Sequence, residues 1–272
     1  KAAGGSVLTR LDNIINMTNI YKIVKSTTIE NGLKRALATG DFGIKQTSSN
    51  KVGVAQVLNR LTYIASLSHL RRVNTPIDRS GKLIQPRKLH NTSWGFLCPA
   101  ETPEGHSVGV VKNLSYLANV TIPTNSASLY DYTQEYIIRF DDLSKEGLHE
   151  GVKVFINGCW LGNAKDAHLL YKSLKDKKHK GIINIYTSIA FDIKHKEIRV
   201  CNEAGRLTRP VLRVKDNYPI LANSHVKQLR NKTIVWDDLL TDMKLGNSVI
   251  EYIDPVEQNL SMIAMKPSEL RQ

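Results

Sequence analysis

The run Cys98-Pro99-Ala100-Glu101-Thr102-Pro103-Glu104-Gly105 constrains the chain more than any other stretch. Two prolines in five residues stiffen the backbone, and the turn they make displays two carboxylates. Beside it lies a strongly basic stretch. Residues 60–88 carry Arg60, Arg71, Arg72, Arg79, Lys82, Arg87 and Lys88 against Asp78 alone. Within it, Pro76 and Pro86 bracket the turn Asp78-Arg79-Ser80-Gly81. There Gly81 permits positive φ, and a defined loop displays Arg79 and Lys82. A rigid acidic turn next to a basic stretch has two readings. Either Glu101 and Glu104 pair with nearby arginines and hold the loop, or a carboxylate shapes a nucleotide or metal site.

The charge is uneven along the chain. Of a formal net +13, residues 1–115 carry +10 and residues 116–272 only +3. A uniform solubility coat has no such asymmetry. Concentrated positive charge fits a polyanionic partner, because each neutralised phosphate releases counterions; a solvated face is the plainer reading. With 272 residues and ordinary apolar content, the chain folds as one large or two to three small domains. No apolar run reaches the roughly 18 residues of a membrane span, and no signal-peptide pattern opens the chain, so a membrane protein and a secreted precursor are disfavoured. Cys98, Cys159 and Cys201 form no C-x-x-C pair; a reducing compartment and three small buried thiols are expected. Metal-ligand spacings, a phosphate-binding loop and a serine-hydrolase elbow are absent. The first residue is Lys1 rather than Met, which suggests a piece of something longer.

Helices come first. Thr27 and Glu30 have capping-box spacing, Ile29, Leu33, Ala36 and Leu37 make an apolar face, and Gly40 sits where a left-handed cap belongs. Residues 43–51 read as an exposed polar loop. A second helix is expected over 52–68, its apolar side facing a core and its other side carrying Gln56, Arg60 and Tyr63 at i, i+4, i+7. An amide, a guanidinium and a phenol on one stripe suit phosphate, sugar and base contacts, or are simply a wet helix face. Residues 125–134 read as a polar connector. Then come a hairpin over 152–161 turning at Asn157-Gly158, and a helix marked by Leu169, Leu170 and Leu174. Its terminal lysines read as a solvated end. Strands follow over 187–193, 197–201 and 207–214, then a short helix over 236–240 and strands over 251–253 and 262–265.

At residues 66–113 the pattern becomes specific. Ser-Leu-Ser-His-Leu-Arg-Arg-Val-Asn-Thr-Pro-Ile is followed by Gly81-Lys82-Leu83 and by Pro86-Arg87-Lys88-Leu89-His90-Asn91-Thr92-Ser93-Trp94-Gly95. The proline-rich acidic turn comes next, and then Val111-Lys112-Asn113-Leu114-Ser115. This run resembles the second-largest, beta-type subunit of multisubunit DNA-directed RNA polymerases in its eukaryotic, archaeal and large-DNA-virus form. Weaker likeness, in the same order, covers nearly the whole chain. The resemblance implies an internal fragment with an α+β fold: a helical fork domain with embedded loops over 1–125, then small mixed external domains, the first over 126–220 and the start of the second over 221–272. Loop 43–51 would be the first fork loop and turn 74–82 the second.

By the same resemblance the fragment lines the active-centre cleft. Gln56, Arg60 and Arg72 would approach nucleic acid, with Gln56 and Arg72 near nascent RNA. Arg79 and Lys82 would lie beside downstream DNA, and Arg87 and Glu104 close to the incoming nucleotide. No residue here is expected to be catalytic directly. The catalytic Mg2+ would be held by the largest subunit, and the Zn2+ site of the full subunit would lie outside this fragment, so the fragment alone is expected to be inactive. Implied partners are the largest and other polymerase subunits, template DNA, RNA transcript and nucleoside triphosphates, with no membrane. The implied location is intracellular: nuclear in a eukaryotic cell, in host cytoplasm or virion for a virus. Asp78 and Ser93 depart from the family pattern, where glycine and histidine are common. The alternative is a free-standing single-strand-binding module in which Tyr63 or Trp94 stacks on bases.

Overall fold

The computed structural model describes residues 20–42, 53, 55–75, 77 and 83–271. The loop 43–51 and the basic residues Arg79 and Lys82 lie outside the described residues. The chain divides after Leu70 into two units.

The first unit is helical. It contains α1 (Ile20–Ile23), α2 (Ser26–Thr39) and α3 (Tyr63–Leu70). Gly40 closes α2 as expected, with φ 69° and its N–H on the Ala36 carbonyl. At the other end α2 starts one residue before Thr27, and Lys25 occupies the cap position without a side-chain bond. The apolar face of α2 is exposed: Ile29, Leu33 and Leu37 are each more than half accessible. The helix expected over 52–68 is only α3. Before it the chain is irregular, because polar side chains offer the backbone local partners that compete with helical bonds. Asn59 Oδ1 accepts from the Leu61 N–H at 3.0 Å and Ser66 Oγ donates to the Asn59 carbonyl at 2.6 Å, while Thr62 Oγ1 accepts from the Ala65 N–H at 3.1 Å and so caps α3 where it starts.

The second unit carries twelve strands among its described residues. They begin with β1 (Arg72–Asn74), β2 (Val111–Asn113) and β3 (Asn119–Val120). The expected polar connector is a helix, α4 (Ala127–Gln134), which buries Leu129 and Thr133. Next are β4 (Ile137–Ile138), α5 (Lys145–Glu150), β5 (Lys153–Ile156), β6 (Cys159–Ala164), α6 (Ala167–His179), β7 (Ser188–Asp192) and β8 (Glu197–Cys201). The chain ends with β9 (Leu207–Leu212), β10 (Val214–Lys215), β11 (Tyr218–Pro219), α7 (Asn223–Arg230), α8 (Asp242–Leu245), β12 (Ile250–Ile253) and α9 (Pro255–Leu260). Residues 262–265 make no strand, contrary to the expectation; Met262 is fully exposed and has no apolar face to pack on. The fold is mixed helix and sheet, in the α+β class.

A five-stranded sheet, ordered β4-β6-β5-β8-β7, is the centre of this unit. The β5–β6 hairpin turns at Asn157 and Gly158, both with positive φ, as an Asn-Gly pair favours. Alternation buries Val154, Ile156, Ile198 and Val200 on one face, where Leu170 and Leu174 of α6 meet them. A second sheet, β12-β9-β3, joins three segments far apart in sequence. A smaller core of Ile234, Leu239, Leu240, Val249, Ile250 and Tyr252 packs beside it.

The terminal lysines of α6 are not the solvated end expected of them. Lys178 is 2% exposed and Glu257 likewise. Lys175 Nζ lies 2.6 Å from both Glu251 and Glu257, Lys178 Nζ donates to the Tyr252 carbonyl at 2.9 Å, and the Ile189 N–H donates to Glu257 at 3.1 Å. Burial by itself would raise Glu251, but the bond from His179 and the charges of Lys178 and Lys175 hold its carboxyl well below the usual range. Burial likewise opposes the Lys175 charge, yet Glu257 and Glu251 more than offset it and raise its pKa. The cluster fastens α6 to β12 and α9. The cysteines also differ from expectation: all three are free thiols, but Cys98 and Cys201 are only half-buried and Cys159 is exposed, because it opens β6 at the hairpin turn.

Candidate nucleic-acid interface

In the first unit Gln56 is tied down. Its Nε2 donates to the Gly53 carbonyl at 3.0 Å and its Oε1 meets His69 Nε2 at 3.0 Å. His69 Nδ1 in turn accepts the Asn59 N–H at 3.1 Å, so the ring carries its proton on Nε2 and bridges the irregular segment to α3. Gln56 and Arg60 precede α3 and Tyr63 begins it, so the three do not form a single helical stripe. Arg60 and Tyr63 are exposed.

In the second unit Arg71, Arg72 and Arg87 stand with the acidic turn on one hydrogen-bonded frame. Strands β1 and β2 pair antiparallel, with Arg72 opposite Asn113 and Asn74 opposite Val111. Neighbouring arginines on this frame have opposite fates. The Arg71 guanidinium donates to the carbonyls of Ser115 at 2.6 Å and Ala118 at 2.9 Å, closing the segment after β2 onto the start of β1. Arg72, the first residue of β1, is exposed with no ion pair or side-chain bond among the described residues.

Arg87 closes the acidic turn. It ends a short 3-10 helix, Gln85–Arg87, that Pro86 initiates. Its Nη1 donates to the carbonyls of His106 at 2.7 Å and Val108 at 3.0 Å. Gly109, with φ 70°, lies flat on the Arg87 backbone, where any Cβ would overlap the Arg87 carbonyl. Thr102 Oγ1 accepts the Gly109 N–H at 2.9 Å and donates to the Val111 carbonyl at 3.0 Å; Asn113 Nδ2 donates to the Glu101 carbonyl at 3.1 Å. The turn is therefore held from the arginine side through main-chain carbonyls. Glu104 precedes the 3-10 helix Gly105–Ser107, is exposed, and has no arginine partner among the described residues. Trp94 is 62% exposed and Tyr63 80%.

The frame thus offers exposed Arg72, Glu104 and Trp94 on a backbone braced by Arg71 and Arg87. The sequence counts Arg71 with Arg72 and Arg87 in one basic stretch, and charge alone does not separate the braces from the exposed residue. Among the described residues no group of three His, Cys, Asp or Glu side chains converges as a metal site.

Three family descriptions match the chain, in order. "RNA polymerase Rpb2, domain 3" covers residues 56–120, "domain 4" covers 154–215 and "domain 5" covers 236–272, together more than half the chain. The chain is 43% identical over 249 residues to DNA-directed RNA polymerase II subunit RPB2 of Encephalitozoon cuniculi, which takes in 91% of this chain and 21% of that protein. It is 41% identical over 268 residues to the same subunit of Schizosaccharomyces pombe, covering 93% of this chain and 22% of the relative. DNA-directed RNA polymerase subunit 2 of Acanthamoeba polyphaga mimivirus is 34% identical over 258 residues, 93% of this chain and 21% of the relative. The chain belongs to the family of second-largest subunits of DNA-directed RNA polymerases. It spans about a fifth of the length of the curated relatives it matches.

Proposed function

We propose that this chain is a fragment of a DNA-directed RNA polymerase subunit that lines the active-centre cleft and positions nucleic acid and incoming nucleotide during nucleotidyl transfer. The observation that carries this reading is the ordered match of three successive subunit domains, the first of which spans the braced frame. Residues 1–125 would be most of a fork domain, 126–220 a first external domain and 221–272 the start of a second. Arg60 and Arg72, exposed and basic, would meet phosphates. Gln56, held by Gly53 and His69, would keep a fixed edge toward RNA. Arg79 and Lys82 would flank downstream DNA. Glu104 would stand beside the incoming nucleotide, with Arg87 acting on it through the turn.

In this reading the metals are supplied elsewhere in the assembled enzyme: Mg2+ by the largest subunit, and Zn2+ by parts of this subunit outside the fragment. Partners are the other polymerase subunits, template, transcript and nucleoside triphosphates. The location follows the host, nuclear in a eukaryotic cell and cytoplasmic or virion-borne for a virus. The test is Arg87→Ala in the assembled enzyme. Nucleotide addition at limiting nucleotide should slow by about tenfold or more while DNA binding stays near wild type, since the loss of two charge-assisted bonds loosens the turn. Unchanged elongation rates would refute the role.

A further inference from the structure

Away from the braced frame, a cavity of about 320 Å³ opens between α4, the end of α6 and the loop 182–187. That volume lies at the lower end of small-molecule sites. Its floor is pre-organised. Asn202 spends its whole amide on structure: Nδ2 donates to Thr124 Oγ1 at 3.0 Å and Oδ1 accepts from Ser126 Oγ at 2.9 Å and Asn157 Nδ2 at 2.8 Å. The loop is equally fixed, for the Ile182 and Ile183 N–H groups both fold back onto the Lys177 carbonyl.

What remains unspent around this cavity has one chemical character. Thr187 is 1% exposed, lines the cavity, and its hydroxyl has no hydrogen-bond partner. A buried hydroxyl left without a partner is costly, so it marks a place where an acceptor belongs. Lys177 also lines the cavity. Its ammonium rests 5.4 Å from the Tyr132 ring centroid and has no carboxylate within ion-pair distance among the described residues. Of the other lysines of α6, Lys175 and Lys178 have acidic partners and Lys172 is exposed. No Asp or Glu lines the cavity, and Leu129, Ile182 and Ile183 give it an apolar wall. A ligand must therefore bring the negative charge and the acceptors itself, and carry an apolar body against that wall.

We propose that this cavity is a binding site for a small organic anion, a carboxylate or phosphate monoester on a compact aromatic or aliphatic body, held by Lys177 and Thr187. None of its lining residues is among the proposed nucleic-acid contacts, and the proposal does not depend on them.

The probes are 4-fluorobenzoate, 4-fluorophenyl phosphate and the uncharged 4-fluorobenzamide, observed by fluorine NMR against the assembled polymerase. The expected result is saturable binding of one or both anions, weakened about tenfold by Lys177→Gln, as loss of a charge-assisted bond implies. Thr187→Val, which keeps the shape and removes the hydroxyl, should weaken it severalfold. Which anion binds more tightly decides between the carboxylate and phosphate sources. The proposal is overturned if the amide binds as well as the anions, if Lys177→Gln leaves anion binding unchanged, or if neither anion binds. Binding to the free subunit but not to the assembled enzyme also overturns it, because the cavity would then be a contact between subunits. Thermal unfolding of each variant subunit at the wild-type temperature secures the comparison.

Discussion

Residues 71–118 and residues 126–260 belong to one unit and are held together by different means. The first segment has a few buried apolar side chains, chiefly Phe96, Val110 and Ala118, and two three-residue strands. Its shape comes from side chains reaching main-chain carbonyls: Arg71 on Ser115 and Ala118, Arg87 on His106 and Val108, Thr102 on Val111. The second segment is sheet and helix over an apolar core, with the buried lysine–glutamate cluster at one edge. Directional bonds to the backbone allow an irregular, polar surface to be rigid without a thick core. The segment proposed to meet nucleic acid can then keep its outward side chains for that purpose. A hydrophobic core leaves less such freedom, since its pattern must repeat along every strand.

Four measurements strain this contrast, from the largest expected effect to the smallest. In the intact subunit, Lys178→Met removes a buried ammonium and leaves Lys175 to face both Glu251 and Glu257, with the Tyr252 carbonyl losing its donor, and should cost about 3–5 kcal/mol in denaturant unfolding. A loss under about 1 kcal/mol would mean the cluster is not what fastens α6. Gly109→Ala should cost about 2–4 kcal/mol, from positive φ and overlap with the Arg87 backbone. It should also expose the 102–109 turn to proteolysis, whereas an unaltered digestion pattern would show that the turn is not braced there.

The third is a pH titration. Glu251 has a lowered pKa in the folded state, so its ionisation contributes stability in full above its ordinary value of 4.5 and loses it as pH falls. Glu251→Gln should therefore be less stable than wild type at neutral pH, with the difference shrinking below 4.5; a constant difference would contradict the linkage. The smallest effect belongs to Arg72→Ala. Stability should change by less than about 0.5 kcal/mol, while the salt dependence of nucleic-acid binding by the assembled enzyme should fall by about one counterion. An unchanged salt slope would remove Arg72 from the interface.

Much of the second segment was legible beforehand because its signals are local. Asn157-Gly158 specified its own turn, Leu170 and Leu174 their helix face, and Ile198 and Val200 their strand alternation. The misreadings have equally physical causes. Lys175 and Lys178 looked like a solvated helix end because their partners, Glu251 and Glu257, are more than seventy residues away. The stripe Gln56, Arg60 and Tyr63 was drawn on apolar spacing, but Asn59 and His69 offered the backbone closer partners. At the candidate interface, the basic residues could be found by counting charge. Their division into braces and exposed contacts could not, because the carbonyls that capture Arg71 and Arg87 carry no sequence signature.

The sheet β12-β9-β3 has a consequence for the ribosome. Strand β3 ends at Val120, yet its partner β9 begins at Leu207 and the far edge arrives only with Ile250. During synthesis at roughly 5–20 residues per second, β3 waits on the order of several seconds for a neighbour. Closing loops of that length is slow compared with the local β5–β6 hairpin. The order of assembly therefore runs against the order of emergence. The central sheet forms first, the short strand at 119–120 finds β9 only after it, and the three-stranded sheet is complete once the chain has grown past residue 253.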